Sequence, residues 1–98
     1  MASEKLTVIA TIKAKEDKVE LVKTELLKLI DKTRAEEGCI KYDLHQDNTN
    51  ESIFIFHENW ESTAHLEAHA QSEHMAAYVK ATEGMVAEFV VNKMTQIG

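Results

Sequence analysis

The residues with chemistry to offer are one carboxylate among aromatics, a set of histidines and a lone cysteine. Glu58 stands in Glu51-Ser52-Ile53-Phe54-Ile55-Phe56-His57-Glu58-Asn59-Trp60, where alternate residues share a face if the stretch is a strand. That puts Glu58 on one side with Phe54, Phe56 and Trp60. Burial disfavours the charged form of a carboxylate and raises its pKa, which would suit a general base near neutrality. The plainer reading is a carboxylate that accepts hydrogen bonds from a helix terminus or from a second copy of the chain. Histidine is the side chain that titrates near neutral pH, so His69 and His74 are candidate proton carriers. Neither has an orienting carboxylate visible in sequence, and His74 is as well placed to cap a helix. Trp60 can stack on a flat ligand or anchor the helix that follows it. Tyr78 can aim its hydroxyl into a cavity or simply pack.

A metal site needs more than these residues offer. His65 and His69 are four apart and would share a helix face, the spacing of a chelating pair. In His65-Leu66-Glu67-Ala68-His69, however, the carboxylate is third of five, a place that zinc-protease helices do not use. No third ligand is fixed by spacing, so no metal is expected. There is no glycine-rich phosphate loop either, and no flavin or haem is expected. Cys39 has no partner for an intramolecular disulfide, which suits a reducing, cytoplasmic compartment. It opens a predicted strand and reads as a small buried residue rather than a nucleophile.

Ninety-eight residues make one domain, 1–98, with a modest core. The chain is 44% hydrophobic and 29% charged, an ordinary globular composition. With 11 basic and 17 acidic side chains its formal charge is −6, which repels phosphate backbones and anionic lipid. Neither nucleic acid nor a membrane is an expected partner. The opening Met-Ala-Ser-Glu-Lys lacks the apolar stretch of a signal peptide.

Lys5 to Lys13 reads as a β-branched strand with apolar groups on both faces, hence central and covered on both sides. Asp17 and Glu20 have capping-box spacing ahead of a long helix. Its stripe is Val19, Val22, Leu26, Leu29 and Ile30, widened by Leu21 and Leu27, and it ends at Gly38. Cys39 to Gln46 alternates, with Ile40, Tyr42 and Leu44 on one face. Asp47 to Asn50 is turn chemistry, and Glu51 to Trp60 completes a hairpin. Ser62 and Ser72 can cap two further helices. The first covers Thr63 to Ala70; the second carries Met75, Tyr78, Val79, Thr82 and Val86 as its stripe, with Gly84 weakening its end. Phe89 to Ile97 reads as a last strand.

The order β-α-β-β-α-α-β predicts an α+β, ferredoxin-like domain whose antiparallel sheet is covered on one face by helices. The other face would be left apolar and open, so a homodimer is expected.

Three stretches together resemble the antibiotic biosynthesis monooxygenase family, which includes quinol monooxygenases. They are Glu37-Gly38-Cys39-Ile40-Lys41-Tyr42-Asp43-Leu44, Phe56-His57-Glu58-Asn59-Trp60, and Ala64-His65-Leu66-Glu67-Ala68-His69-Ala70-Gln71-Ser72-Glu73-His74. The resemblance implies a dimeric α+β barrel with a cavity between sheet and helices in each subunit. It implies oxidation of a quinol or other electron-rich phenol by O2 without metal or organic cofactor. On that footing Glu58, His69 and His74 are the catalytic candidates, and Phe54, Phe56, Trp60 and Tyr78 would contact the substrate. Other members of the family degrade haem or isomerise a signalling sugar phosphate, so an isomerase or a non-catalytic ligand-binding protein remains an alternative. Haem-degrading relatives carry a tryptophan and a histidine where this chain has His69 and Tyr78, which argues against haem breakdown.

Overall fold

A computed structural model describes residues 5–98. The elements are β1 (Leu6–Ala14), α1 (Val19–Arg34), β2 (Cys39–Gln46), β3 (Ile53–Trp60), α2 (Thr63–Ala70), α3 (Glu73–Ala81) and β4 (Val86–Met94). The four strands form one antiparallel sheet in the order β2-β3-β1-β4. This is the ferredoxin-like arrangement expected from the element order.

Strand alternation decides which residues enter the core. Val8, Ala10, Ile12 and Ala14 of β1 and Phe54, Phe56, Glu58 and Trp60 of β3 are all buried on the helix-covered face. Their neighbours Thr7, Ile9, Thr11, Ile53 and Ile55 are half-buried on the other. β1 is central, as expected, but within one chain only its helix side is covered. From α1, Val19, Val22, Leu26, Leu29 and Thr33 pack down onto the sheet at helical spacing.

Several local expectations are corrected. Asp17 and Glu20 form no capping box: residues Glu16–Lys18 make a 3₁₀ turn, and α1 starts behind Lys18 with no side-chain cap. Leu21 and Leu27 do not widen the buried stripe; each is 51% exposed. Each sits one residue from a buried position, about 100° around the helix. Ile40 does not share the face of Tyr42, because a bulge between Cys39 and Lys41 shifts the register and leaves Ile40 exposed. Val86 is not on α3. That helix stops at Ala81, Gly84 takes a left-handed φ of 79°, and Val86 pairs with Ala14 as the start of β4. The last strand is therefore Val86–Met94 rather than Phe89–Ile97. Val79, expected on the buried stripe of α3, is exposed.

Both serine caps form, Ser62 Oγ accepting from the His65 amide and Ser72 Oγ from the Met75 amide. In the β2–β3 turn, Asp47 Oδ2 accepts from the amides of Thr49 and Asn50 at 3.0 and 2.8 Å.

Candidate active site

A cavity of about 360 Å³ lies between the sheet and the α2–α3 segment. Its floor is Val8, Ala10 and Ile12 of β1. Tyr42, Phe56, Glu58, Leu66, His69 and Tyr78 form much of its wall, and Phe89, Val91 and Lys93 of β4 complete it. Phe89 and Val91 share the helix-side face yet stay 57% and 42% exposed, so the cavity is least covered over β4.

Glu58 is the charged group of the buried β3 face, at 4% exposure. Its Oε1 accepts the indole N–H of Trp60 at 2.8 Å. Burial pushes the carboxyl up from 4.5 to about 7, the Trp60 bond opposing and the charge of Glu36 adding to it. Tyr42 lies directly opposite Glu58 across the β2–β3 pair and stacks on Phe56 with ring centroids 4.3 Å apart. Burial, then the charge of Glu58, holds the Tyr42 phenol far above its usual range, so it stays protonated.

His69 comes from the last turn of α2 and lines the same cavity. Its ring is wedged against Trp60 at 4.9 Å and meets the edge of Tyr42 at 5.5 Å. Burial drives its pKa down, with the Glu36 hydrogen bond and charge opposing. The net direction favours the neutral ring. Tyr78 also lines the cavity, and burial raises its pKa, with a contact to Thr82 opposing.

The remaining candidates are placed differently. Phe54 and Trp60 are fully buried and contribute no surface to the cavity; Trp60 reaches it only through Glu58 and His69. His74 lies outside the cavity, at the start of α3, and borders a shallower depression with Lys28 and Lys32 of α1. His65 turns to Ser62, whose Oγ is 2.8 Å from its Nδ1, and to the backbone of Gly38. The pair His65–His69 thus has its rings committed to different partners. Cys39 is half-buried, and burial with the charge of Glu36 pushes its thiol up to about 11. A thiol so held is a poor nucleophile.

One residue was absent from the sequence reading. Glu36, in the turn after α1, places Oε2 2.7 Å from His69 Nδ1 and 2.6 Å from His74 Nε2. Arg34, two residues earlier, fixes this turn by donating to Tyr42 O at 3.2 Å and to Asp43 Oδ1 at 3.1 Å. Among the described residues, Glu36, His69 and His74 are the one group of three or more such side chains whose donor atoms converge. Their separations are those of N–H···O bonds onto a single oxygen, which satisfies the group without a further centre. No spacing rule links position 36 to 69 and 74. The link comes from the hairpin, which pairs Cys39 with Trp60 and brings both chain segments to one end of the sheet.

The sequence profile described as "Antibiotic biosynthesis monooxygenase" matches residues 5–81. The chain is 37% identical to the "Probable quinol monooxygenase YgiN" of Escherichia coli over 94 residues, covering 85% of this chain and 89% of that protein. It is 31% identical over 87 residues to an uncharacterized protein of Synechocystis, sll1783; the match takes in 89% of this chain and 59% of that protein's length. The crystal structure of PA3566 from Pseudomonas aeruginosa superposes with a TM-score of 0.94 at 34% identity, over 100% of this chain and 99% of that one. A second crystal structure, titled as an antibiotic biosynthesis monooxygenase, gives a TM-score of 0.88 at 30% identity, over 95% and 99% of the two chains. The chain belongs to the antibiotic biosynthesis monooxygenase family.

Proposed function

We propose that this protein is a cofactor-independent monooxygenase that oxidises a quinol or other electron-rich phenol with O2, acting as a homodimer. The observation that carries the reading is that Glu58 and His69 line one mostly apolar cavity, with burial pushing the Glu58 carboxyl up to about 7 and the His69 ring down from its usual range. Similarity to a protein named as a quinol monooxygenase supports the substrate class.

The chemistry needs little from the protein. Removing the phenolic proton leaves an electron-rich phenolate, which can reduce O2 directly. In the net reaction one oxygen atom enters the ring, the other leaves as water, and the substrate departs as a quinone. The substrate thus supplies all four electrons. The cavity excludes water with Val8, Ala10, Ile12, Phe56 and Leu66, holds a flat ring, and offers a proton acceptor in Glu58 or His69. Tyr42 and Tyr78 line the same cavity and would contact the substrate.

The same pair of proton carriers would serve an isomerase, which consumes no O2. An unfilled cavity containing titrating groups weighs against a purely structural or non-catalytic role. Oxygen uptake with a panel of quinols and phenols, compared with buffer autoxidation, tests the proposal. Consumption of one O2 per substrate with little peroxide released supports it. Uptake equal to the buffer control across the panel overturns it in favour of the isomerase or ligand-binding readings.

A further inference from the structure

Two imidazoles on different helices approach a single carboxylate oxygen. His69 Nδ1 and His74 Nε2 lie 2.7 and 2.6 Å from Glu36 Oε2, and Ser72 Oγ is a further 3.3 Å contact of His74 Nε2. A carboxylate only accepts hydrogen bonds, so each ring must turn an N–H toward it. Both tautomers follow: His69 carries its proton on Nδ1 and His74 on Nε2. For His69 the consequence lies in the cavity. Its Nε2 keeps a lone pair, has no hydrogen-bond partner among the described residues, and belongs to a ring that lines the cavity wall. In the opposite tautomer a lone pair would face the carboxylate, and the cavity would receive an N–H that cannot act as a base.

We propose that Glu36 is a positioning residue for proton abstraction: it holds His69 in the tautomer whose Nε2 accepts the phenolic proton, with His74 steadying the same carboxylate oxygen. This rests on the oxygenase reading of the cavity. In the step, the substrate O–H bond breaks, the proton bonds to Nε2, and the electron pair stays on the phenolate oxygen. The imidazolium so formed is offset by the Glu36 carboxylate already bonded to its Nδ1–H, an arrangement known to favour base catalysis by histidine. The proton is given up again when the reduced oxygen leaves as water.

Glu36 from the turn after α1 and His74 from α3 are the groups that act on the titration of His69. Tyr42 from β2 and Trp60 from β3 meet its ring, and Glu58, Tyr78 and Lys93 line the same cavity. Glu36 raises the basicity that burial takes away, and His74 lowers it slightly. Removing the Glu36 charge should therefore leave a weaker base.

The test combines long-range ¹H–¹⁵N NMR of the histidine rings with oxygen uptake against pH, for the wild type, Glu36→Gln and Glu58→Gln. The expected wild-type spectrum at neutral pH shows His69 protonated on Nδ1 and bare on Nε2. Glu36→Gln should lower kcat about 10–10²-fold, part of what general-base catalysis contributes, with KM little changed. Its acid limb should move to lower pH, a shift that a merely structural role would not produce. Glu58→Gln should keep the wild-type limb. A wild-type His69 protonated on Nε2 overturns the proposal, and this reading does not depend on Glu36→Gln folding. So does a folded Glu36→Gln with unchanged kcat and limb, or a limb that vanishes in Glu58→Gln. Absence of uptake by the wild type sinks the oxygenase reading instead, and the tautomer then decides alone whether Glu36 sets His69.

Discussion

The indole N–H of Trp60 donates to Glu58 Oε1 at 2.8 Å, so two residues on the same face of β3 are tied along the strand. The bond favours the ionised carboxylate and opposes the effect of burial. Trp60→Phe keeps an aromatic ring in a fully buried site and removes the donor. The Glu58 carboxyl should then titrate above about 7, read by carboxyl infrared absorption against pH. Stability should fall by about 1–2 kcal/mol in urea denaturation, from the lost bond and the smaller ring. A carboxyl that titrates at the wild-type position would show that the indole does not tune it.

Glu58 also predicts how stability changes with pH. Its folded pKa is raised from 4.5 to about 7, so the folded chain binds the proton more tightly than the unfolded one. The stability this contributes is fully present below pH 4.5 and is lost as pH rises to about 7. The loss is up to about 3 kcal/mol at 1.36 kcal/mol per pKa unit. The depressed pKa of His69 acts in the opposite sense, but it is common to the wild type and Glu58→Gln. Their difference isolates Glu58: the variant should match or fall below the wild type at pH 4 and exceed it at pH 8. Parallel stability curves across that range would contradict the burial cost assigned to this carboxylate.

Gly38 has a φ of +84°, and a Cβ there would run into the ring of His65. Its carbonyl accepts from the Glu61 amide at 2.9 Å, which closes the end of the β2–β3 pair. Gly38→Ala should therefore cost more than the roughly 1 kcal/mol of the left-handed backbone alone. Because Glu36 is two residues away, the variant should also disturb the His69 and His74 ring resonances. A variant as stable as the wild type, with those resonances unmoved, would show that the turn has room the structure does not indicate.

Much of this site was legible in the sequence because strand periodicity is short and strict. The alternation from Ser52 to Trp60 placed Glu58 among aromatics, and the burial of that face follows it residue by residue. Periodicity failed where one residue changes the count. The bulge beside Ile40 turned it outward, and Gly84 ended α3 before Val86 could join its stripe. Asp17 did not cap α1 because a 3₁₀ turn put Lys18 at the helix start. Glu36 was beyond reach for a different reason. Its partners lie on α2 and α3, so its role exists only once the sheet has brought three segments to one end.

The sheet face turned away from the helices supports the dimer. Ile9, Ile53 and Ile55 are half-buried there, and Val90 and Met94 of β4 are 48% and 46% exposed. They share one face by register, since Ile55 and Val90 both pair with Thr11, and Met94 pairs with Thr7. These apolar groups, set among Thr7, Thr11, His57, Asn59 and Asn92 on the same face, are costly to leave in water, and a second copy of that face could cover them about a two-fold axis. A stable interface buries about 1,200–2,000 Å² in total, which a four-stranded face can supply. Ile55 is near the middle of that face, so Ile55→Lys would set two like charges close together across the axis. The wild type should sediment as a dimer at micromolar concentration, and Ile55→Lys should shift it to monomer or unfold it. A wild type that sediments as a folded monomer would remove the dimer from the proposed function and leave the open face to be explained by another partner.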